Sequence, residues 1–210
     1  ECRNPFLRQP LIKISRHPIE GILPEVAGRG QDAIQRRPRV TRAADELGKV
    51  VAEDYGLRLQ FHPHADSHVE TGPQTERFLD GTDPRYVSLC LDTGHLVYRH
   101  ADCAAIIRSY PDRIGYVHIK QMDPAVVAVA DRDGLPFGQA VAMGASCEPP
   151  GGEPDVEEVT AALRELETDL FVVVEQDMYP APFDRPKPIA QRTRAYLRGV
   201  GIGAATGGQP

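Results

Sequence analysis

Short apolar runs alternate with amphipathic segments along most of this chain. Four runs rich in β-branched and aliphatic residues are predicted to be strands: Leu57–Phe61, Tyr86–Leu91, Ile114–Lys120 and Leu170–Glu175. Apolar positions at three- and four-residue spacing predict helices between and after the strands: Arg39–Asp54, Gln74–Leu79, Ala101–Tyr110, Asp155–Glu167 and Ile189–Val200. Strands that are apolar throughout and separated by helices predict an α/β fold, with a parallel sheet covered by helices.

Several residues mark where these elements begin and end. Gly56 is predicted to stop the first helix, and Asp155 is predicted to cap the fourth. Thr93–His95, directly after the second strand, is predicted to be a tight turn because Gly94 permits an abrupt exit. Cys90 lies inside an apolar strand and is predicted to be a small core residue.

The chain divides into three parts. Prolines and glycines interrupt residues 1–37 too often for long elements, and Leu11–Ile14 is the one short strand predicted there. Residues 38–202 carry the strand–helix alternation, and residues 203–210 are predicted to be a flexible tail. Within the middle part, Met122–Gly152 lengthens the connection to the fourth strand and is predicted to form an elaborated loop over the strand ends.

Each predicted strand ends in side chains that can bind a metal or transfer a proton. These are His62 with His64, Asp92, His118 with Lys120, and Glu175. Residues two apart share one face of a strand, and the carboxyl ends of parallel strands meet at one edge, so the side chains are expected to converge. Two imidazoles with two carboxylates suit manganese, cobalt or zinc, with water completing the coordination. The pattern leaves the choice between His62 and His64 open.

Composition and charge narrow the function classes. The chain has 210 residues, 41% of them hydrophobic and 26% charged, which suffices for a substantial core. Its net charge of −6 argues against a nucleic-acid partner, and no apolar run is long enough to cross a membrane. The N-terminus has no apolar targeting segment and no C-x-x-C pair is present, which predicts a reduced, cytoplasmic setting. No glycine-rich phosphate loop follows any strand.

Five motifs carry a resemblance to a known family: HPHADSHVET, LCLDTGH, RIGYVHIKQ, CEPPGGEPD and VVVEQDMYP. Over residues 38–202 they resemble the sugar phosphate isomerase/epimerase superfamily, whose fold is the xylose-isomerase-like TIM barrel, and especially its inosose dehydratase branch. The resemblance implies a divalent metal, manganese or cobalt first and zinc or magnesium as alternatives. The ligands it implies are His62, Asp92, His118 and Glu175. Epimerases of the superfamily carry Glu at the first of these positions, where this chain has His-Pro-His.

The implied activity is that of a metal-dependent dehydratase (a lyase) or isomerase acting on a keto-inositol or a related polyol or keto-sugar through an enediolate. His64 or Glu175 would act as general base beside the carbonyl, and Lys120 or His95 would protonate the departing hydroxyl. A sugar isomerase or epimerase is the alternative, because its first step is the same. A phosphodiesterase of the endonuclease IV type shares the fold, but its basic DNA-binding face does not suit this acidic composition.

The implied barrel has eight βα units in about 250 residues, whereas only four units can be identified here, which predicts a partial (β/α)8 barrel. The outer strands, Leu57–Phe61 and Leu170–Val174, are then expected to have unpaired edges, with one face of the sheet open. Together with the missing initiator methionine, this predicts a fragment that aggregates or forms a homo-oligomer. A non-catalytic half-barrel is the alternative to an enzyme.

Overall fold

The structure, a computed structural model, describes residues 32–203, with side chains from residue 39 onward. The predicted strand Leu11–Ile14 and residues 204–210 of the predicted tail lie outside the described residues. Within this range the strands are β1 (Leu59–Phe61), β2 (Val87–Asp92), β3 (Ile114–Ile119), β4 (Gln121–Met122), β5 (Ser146–Cys147) and β6 (Val172–Val174). β1, β2, β3 and β6 form a parallel sheet in that order, and β4 pairs antiparallel with β5. The predicted α/β class and parallel half-barrel are confirmed.

Eight α-helices lie within the described residues. They are α1 (Asp32–Tyr55), α2 (Gly72–Asp80), α3 (Thr93–Tyr98), α4 (Cys103–Ser109), α5 (Pro124–Asp133), α6 (Phe137–Ala142), α7 (Val156–Arg164) and α8 (Pro186–Gly199). Gly56 ends α1 in the left-handed conformation, and Asp155 caps α7 by accepting a hydrogen bond from the Glu157 amide at 2.8 Å, as predicted. None of the helices in the described range combines the length and apolar character needed to cross a bilayer.

Two boundaries predicted from local sequence were wrong. α1 begins at Asp32 rather than Arg39, so the helix runs through Pro38. A proline removes one backbone hydrogen bond, and a 24-residue helix that packs along β1 can absorb that local cost. Thr93–His95 is the first turn of α3 rather than a loop turn, because the Asp92 carboxylate caps the helix.

The two faces of the sheet have different environments. On one face Leu89, Leu91 and Val117 are fully buried in a core that includes Ile106 of α4 and Val159 of α7. Strand register places Asp92 beside His118 and His118 beside Val173, so these side chains share the opposite, inner face. Asp92 and His118 therefore lie where a complete barrel would have its interior.

The Met122–Gly152 connection forms a small unit beside the strand ends. It contains α5, α6 and the β4–β5 pair, and its Met122 and Phe137 pack in a second core with Tyr98. The Phe137 amide donates a hydrogen bond to Asp66 Oδ2 at 2.6 Å, which links this unit to the loop after β1. The elaborated loop predicted over the strand ends thus has regular structure and a fixed attachment.

Candidate functional site

Asp92 is the centre of the candidate site. It ends β2 and is fully buried, and its two carboxylate oxygens have different partners. Oδ1 accepts a hydrogen bond from the His95 amide at 2.9 Å and so caps α3. Oδ2 faces the inner side of the sheet, 3.4 Å from His62 Nε2 and 3.4 Å from His118 Nδ1. The Asp92 side chain therefore both caps α3 and takes part in the candidate site.

Asp92, His118 and Glu175 come together at the carboxyl ends of β2, β3 and β6. His118 Nδ1 lies 3.3 Å from Glu175 Oε1, and one donor atom from each residue lies within 4.8 Å of the others. The Glu175 amide donates a hydrogen bond to the Ile119 carbonyl at 3.0 Å, which continues the pairing of β6 with β3 and fixes the height of Glu175. The convergence expected from the strand ends is present for these three residues.

The donor set of this cluster fits a divalent metal ion. His118 Nδ1 is buried and makes no aligned hydrogen bond, although two carboxylate oxygens lie nearby. Atoms that approach without aligned hydrogen bonds can instead share an ion, and ligands about 2.1 Å from one ion lie about 3.4 Å apart at tetrahedral angles. The observed separations of 3.3 Å and 3.4 Å match that spacing. One imidazole with two carboxylates suits manganese, cobalt or zinc.

His62 and His64 occupy different places. His62 belongs to a possible metal-binding group with Asp92 and His95, and to another with Cys90 and His118, but no group in the described residues contains it together with Glu175. His64 instead stacks on His95, with ring centroids 3.7 Å apart, and its Nδ1 donates a hydrogen bond to the Ala65 carbonyl at 2.7 Å. The geometry therefore brings His62, rather than His64, to Asp92.

Lys120 directly follows β3, reaches the same cluster and is almost completely buried. Its ammonium lies 3.2 Å from Asp92 Oδ2, 2.9 Å from Glu175 Oε2 and 3.1 Å from Asp177 Oδ2. It also lies 3.1 Å from His95 Nε2, and because an ammonium can only donate, that nitrogen accepts. Lys120 is thus a buried positive charge placed among three carboxylates.

The charges of the cluster stabilise one another. Burial raises the pKa of Asp92, but its contacts with His118 and His62 and the charge of Lys120 outweigh burial, so the pKa lies well below its usual range. Burial lowers the pKa of Lys120, but the charges of Asp92 and Asp177 and the contact with Glu175 raise it above its usual value. Burial lowers the pKa of His95 to about 2 despite the opposing charge of Asp92, so its imidazole is neutral.

The comparisons with known proteins identify a family for this chain. The family model described as "Xylose isomerase-like TIM barrel" matches residues 13–200. The chain belongs to this family. An inosose dehydratase from Bacillus velezensis is 36% identical over 153 residues, which are 73% of this chain and 51% of that protein. The half-barrel therefore spans about half the length of this relative.

Solved structures of the family show the same fold at low sequence identity. The probable 3-DHS dehydratase AsbF from Bacillus anthracis has a TM-score of 0.61 at 18% identity, covering 79% of this chain and 57% of that one. The IOLI protein, whose crystal structure has "a binding zinc atom", has a TM-score of 0.56 at 20% identity, covering 77% of this chain and 57% of that one. These likenesses support the barrel architecture of the family.

Three residues beside the half-barrel's site were not among the predicted site residues. Cys90, predicted to be a core residue, lies on the inner face with its Sγ 3.6 Å from His118 Nε2. Two-residue alternation from Asp92 could have identified it, as alternation from Glu175 could have identified Asp177. Phe137 packs against the rings of His64 and His95, with centroids 5.6 Å and 4.8 Å away. No local sequence pattern connects Phe137 to the site, because it lies in the Met122–Gly152 unit, far along the chain from His64.

Gly94→Ala is expected to displace Lys120 and lower turnover at least about tenfold while metal content is unchanged. A Cβ at Gly94 would lie 2.6 Å from Lys120 Cδ and 2.7 Å from Lys120 Cβ, so the base of that side chain must shift. Gly138→Ala is the matched control, because it adds the same methyl group within α6 where nothing lies within 4 Å. Steady-state kinetics with metal analysis makes the comparison. Equal turnover of the two variants would show that the position of Lys120 does not matter.

Proposed function

We propose that this chain provides the metal-binding half of a dehydratase that acts on a keto-inositol or a related polyhydroxylated carbonyl compound. The observation that carries the proposal is the convergence of Asp92, His118 and Glu175 with a buried Lys120 at the carboxyl ends of parallel strands. Such strand ends are where TIM barrels place their reacting groups. The similarity to an inosose dehydratase supports the substrate class.

Asp92, His118 and Glu175 would hold the ion, with His62 as a further ligand through its contact with Asp92. A divalent ion there would act as a Lewis acid on a bound carbonyl. We propose manganese or cobalt, since nitrogen and oxygen donors suit both, with zinc and magnesium as alternatives. Cys90 faces the other nitrogen of His118, and its thiol has a pKa raised to about 12 by burial and the charge of Asp92, so it stays protonated beside the ligand.

His64 is the proposed general base. Its Nδ1 donates to the Ala65 carbonyl, which leaves Nε2 with a lone pair that can accept a proton. Stacking on His95 and contact with Phe137 hold the ring in place. Nε2 would remove the proton from the carbon next to the carbonyl, and the electrons of that C–H bond would move toward the carbonyl oxygen. Glu175 is the second candidate for this role, although its contacts favour metal binding.

Lys120 is the proposed donor to the substrate oxygens. Its charge would stabilise negative charge that develops on the carbonyl oxygen, and its ammonium would donate a proton to the departing hydroxyl. In a dehydratase the C–O bond next to the new double bond breaks, and the hydroxyl leaves as water with one added proton. His95 is the second candidate for donating this proton. Because it is neutral and accepts a hydrogen bond from Lys120, we assign it the role of orienting the Lys120 ammonium.

A sugar isomerase or epimerase remains the alternative, because removal of the same proton begins those reactions as well. The two functions differ in the step after proton removal: a dehydratase expels water, whereas an isomerase or epimerase returns the proton to carbon. We also propose a reduced, cytoplasmic setting, supported by three free cysteines among the described residues, Cys90, Cys103 and Cys147.

Incubation with a keto-inositol in D2O tests the proposal. Recovered substrate should carry deuterium on the carbon next to the carbonyl, because the proton removed there exchanges with solvent before water is lost. The product, in which that carbon has lost its hydrogen, should be lighter by one water. NMR and mass spectrometry follow both changes. A chelator should abolish both the deuterium exchange and the loss of water, and manganese or cobalt should restore them. Deuterium incorporation with no loss of water would favour the isomerase or epimerase. Equal exchange with and without chelator would exclude a metal-dependent mechanism.

A further inference from the structure

His64 lies in a loop whose backbone is not part of the sheet. β1 ends at Phe61, and residues 62–71 form neither a helix nor a strand. Strand register fixes Asp92 and His118 beside each other, but it does not extend to His64. A catalytic group has to be held to within a fraction of an ångström, because a displacement of about 1 Å can cost about 10²-fold in rate. Contacts outside the sheet must therefore position this imidazole.

Asp66, two residues beyond His64, connects this loop to two other elements. Its Oδ2 accepts a hydrogen bond from the Phe137 amide at 2.6 Å, and its Oδ1 accepts one at 2.5 Å from Arg99, which directly follows α3. Glu70 Oε2 accepts from the Asp66 amide at 2.7 Å and from Arg99 Nε at 2.9 Å, which closes a ring of hydrogen bonds. A carboxylate with both oxygens bonded in this way has a fixed orientation.

Asp66 also caps α6, whose own sequence provides no cap. Pro136 occupies the N-cap position and makes no side-chain hydrogen bond, and the amide of Phe137, the first helical residue, has no partner within the helix. The Asp66 carboxylate accepts from this amide across 71 residues of chain. Because the amide and the ring belong to one residue, the same contact holds the Phe137 ring, whose centroid lies 5.6 Å from that of His64.

We propose that Asp66 is a positioning residue for His64. By capping α6 it holds the Phe137 ring against the His64 imidazole and so keeps the base in its reactive orientation. The role rests on the proposed function, in which His64 removes the proton. Asp66 has a φ of 61°, in the left-handed region that Asp and Asn adopt more readily than other side chains. Asp66→Asn therefore removes the carboxylate without changing the backbone preference.

Hydrogen exchange tests the contact without an assay of activity. Asparagine has one carbonyl oxygen, which the charged Arg99 takes as the stronger donor, so the NH2 group is left facing the Phe137 amide. This amide should therefore exchange at least about tenfold faster in Asp66→Asn than in the parent. The NMR resonances of the His64 ring should shift as well, because they respond to the nearby Phe137 ring. Exchange and resonances that match the parent would show that Asp66 does not hold this ring, and would overturn the proposal.

Asp133→Asn is the matched control. Asp133 ends α5 in the same Met122–Gly152 unit and pairs with Arg132 at 2.8 Å, with both side chains exposed. This variant loses the same charge from an Asp–Arg pair, and it should keep the exchange rate, the His64 resonances and the turnover of the parent. Equal changes in Asp133→Asn and Asp66→Asn would mean that loss of any negative charge is sufficient, which contradicts a specific role of Asp66.

Kinetics test whether the contact acts through His64. Asp66→Asn should lower kcat about tenfold with KM and manganese affinity unchanged, because the metal ligands and Lys120 are left in place. In a His64→Ala background the same substitution should cause no further loss, since the group that it positions is gone. A further tenfold loss in that background would mean that Asp66 supports the fold rather than His64, and the positioning role would be wrong.

Failure of the proposed function gives a different pattern. Turnover of His64→Ala at the rate of the parent would refute His64 as the base, and with it the catalytic role of Asp66. Fast exchange of the Phe137 amide in Asp66→Asn would still establish the contact itself. Slow exchange in Asp66→Asn together with low turnover in His64→Ala would retain the base and overturn only the role of Asp66.

Discussion

His118→Ala is expected to remove the metal ion and lower turnover at least about 10³-fold. His118 contacts both Asp92 Oδ2 and Glu175 Oε1 through its Nδ1. Its loss leaves two carboxylates that Lys120 already neutralises in part, which weakens their hold on a cation. Because each tenfold loss in rate is about 1.4 kcal/mol, this prediction assigns about 4 kcal/mol to the ion's effect on the reaction, a reasonable amount for a Lewis acid.

His100→Ala is the matched control for this prediction. His100 is exposed, pairs with Asp131 at 2.9 Å and has no contact with the cluster, so the variant should keep metal and turnover. Elemental analysis measures the metal content, and calorimetry measures the affinity for added metal. Circular dichroism checks that the variant is still folded. A His118→Ala protein that binds manganese as tightly as the parent would remove His118 from the ligand set.

The parallel sheet and the converging strand ends could be predicted because both follow from short-range rules. Alternation of side chains decides which face of a strand Asp92 and His118 occupy, and parallel pairing brings their ends to one edge. The pairing joins residues far apart in the chain, but the strand–helix alternation is enough to predict that it is parallel. The strand–helix pattern was therefore enough to predict where the cluster of site residues lies.

Local sequence was less informative where an interaction joins distant residues. Pro38 predicted a helix boundary, but packing of α1 along β1 outweighs that preference. Phe137 lies 71 residues from its hydrogen-bond partner Asp66, so no pattern near either residue could place it beside His64. An acid at the end of a strand can be a cap or a site residue, and the two oxygens of Asp92 allow it to be both.

The choice between His62 and His64 could not be made from alternation, since Pro63 interrupts the strand after Phe61. In the structure the chain leaves the sheet at this point, and the two imidazoles separate: one faces Asp92 and the other stacks on His95. Strand periodicity no longer predicts side-chain direction beyond the end of the strand. Because β1 ends directly before His62 and His64, it cannot predict which of the two belongs to the site.

Lys120→Met is expected to lower turnover about 10²- to 10³-fold while the metal stays bound, the loss typical when a group that stabilises developing charge is removed. Methionine fills similar buried space without the ammonium, so Asp92, Glu175 and Asp177 lose a counter-charge. A divalent cation should then bind at least as tightly as in the parent. Without metal the variant should melt at lower temperature than the parent, because breaking a buried ion pair costs about 3–5 kcal/mol.

Lys49→Met is the matched control for Lys120→Met. The Lys49 side chain is 58% exposed and pairs with Glu53 at 4.0 Å on α1, so its loss should change neither turnover nor melting. Added manganese should raise the melting temperature of Lys120→Met more than that of the parent, since the ion then replaces the missing positive charge among the carboxylates. If Lys120→Met lost its metal together with its activity, Lys120 would act by holding the ligands in place, and the proposed role of its ammonium in the reaction would be wrong.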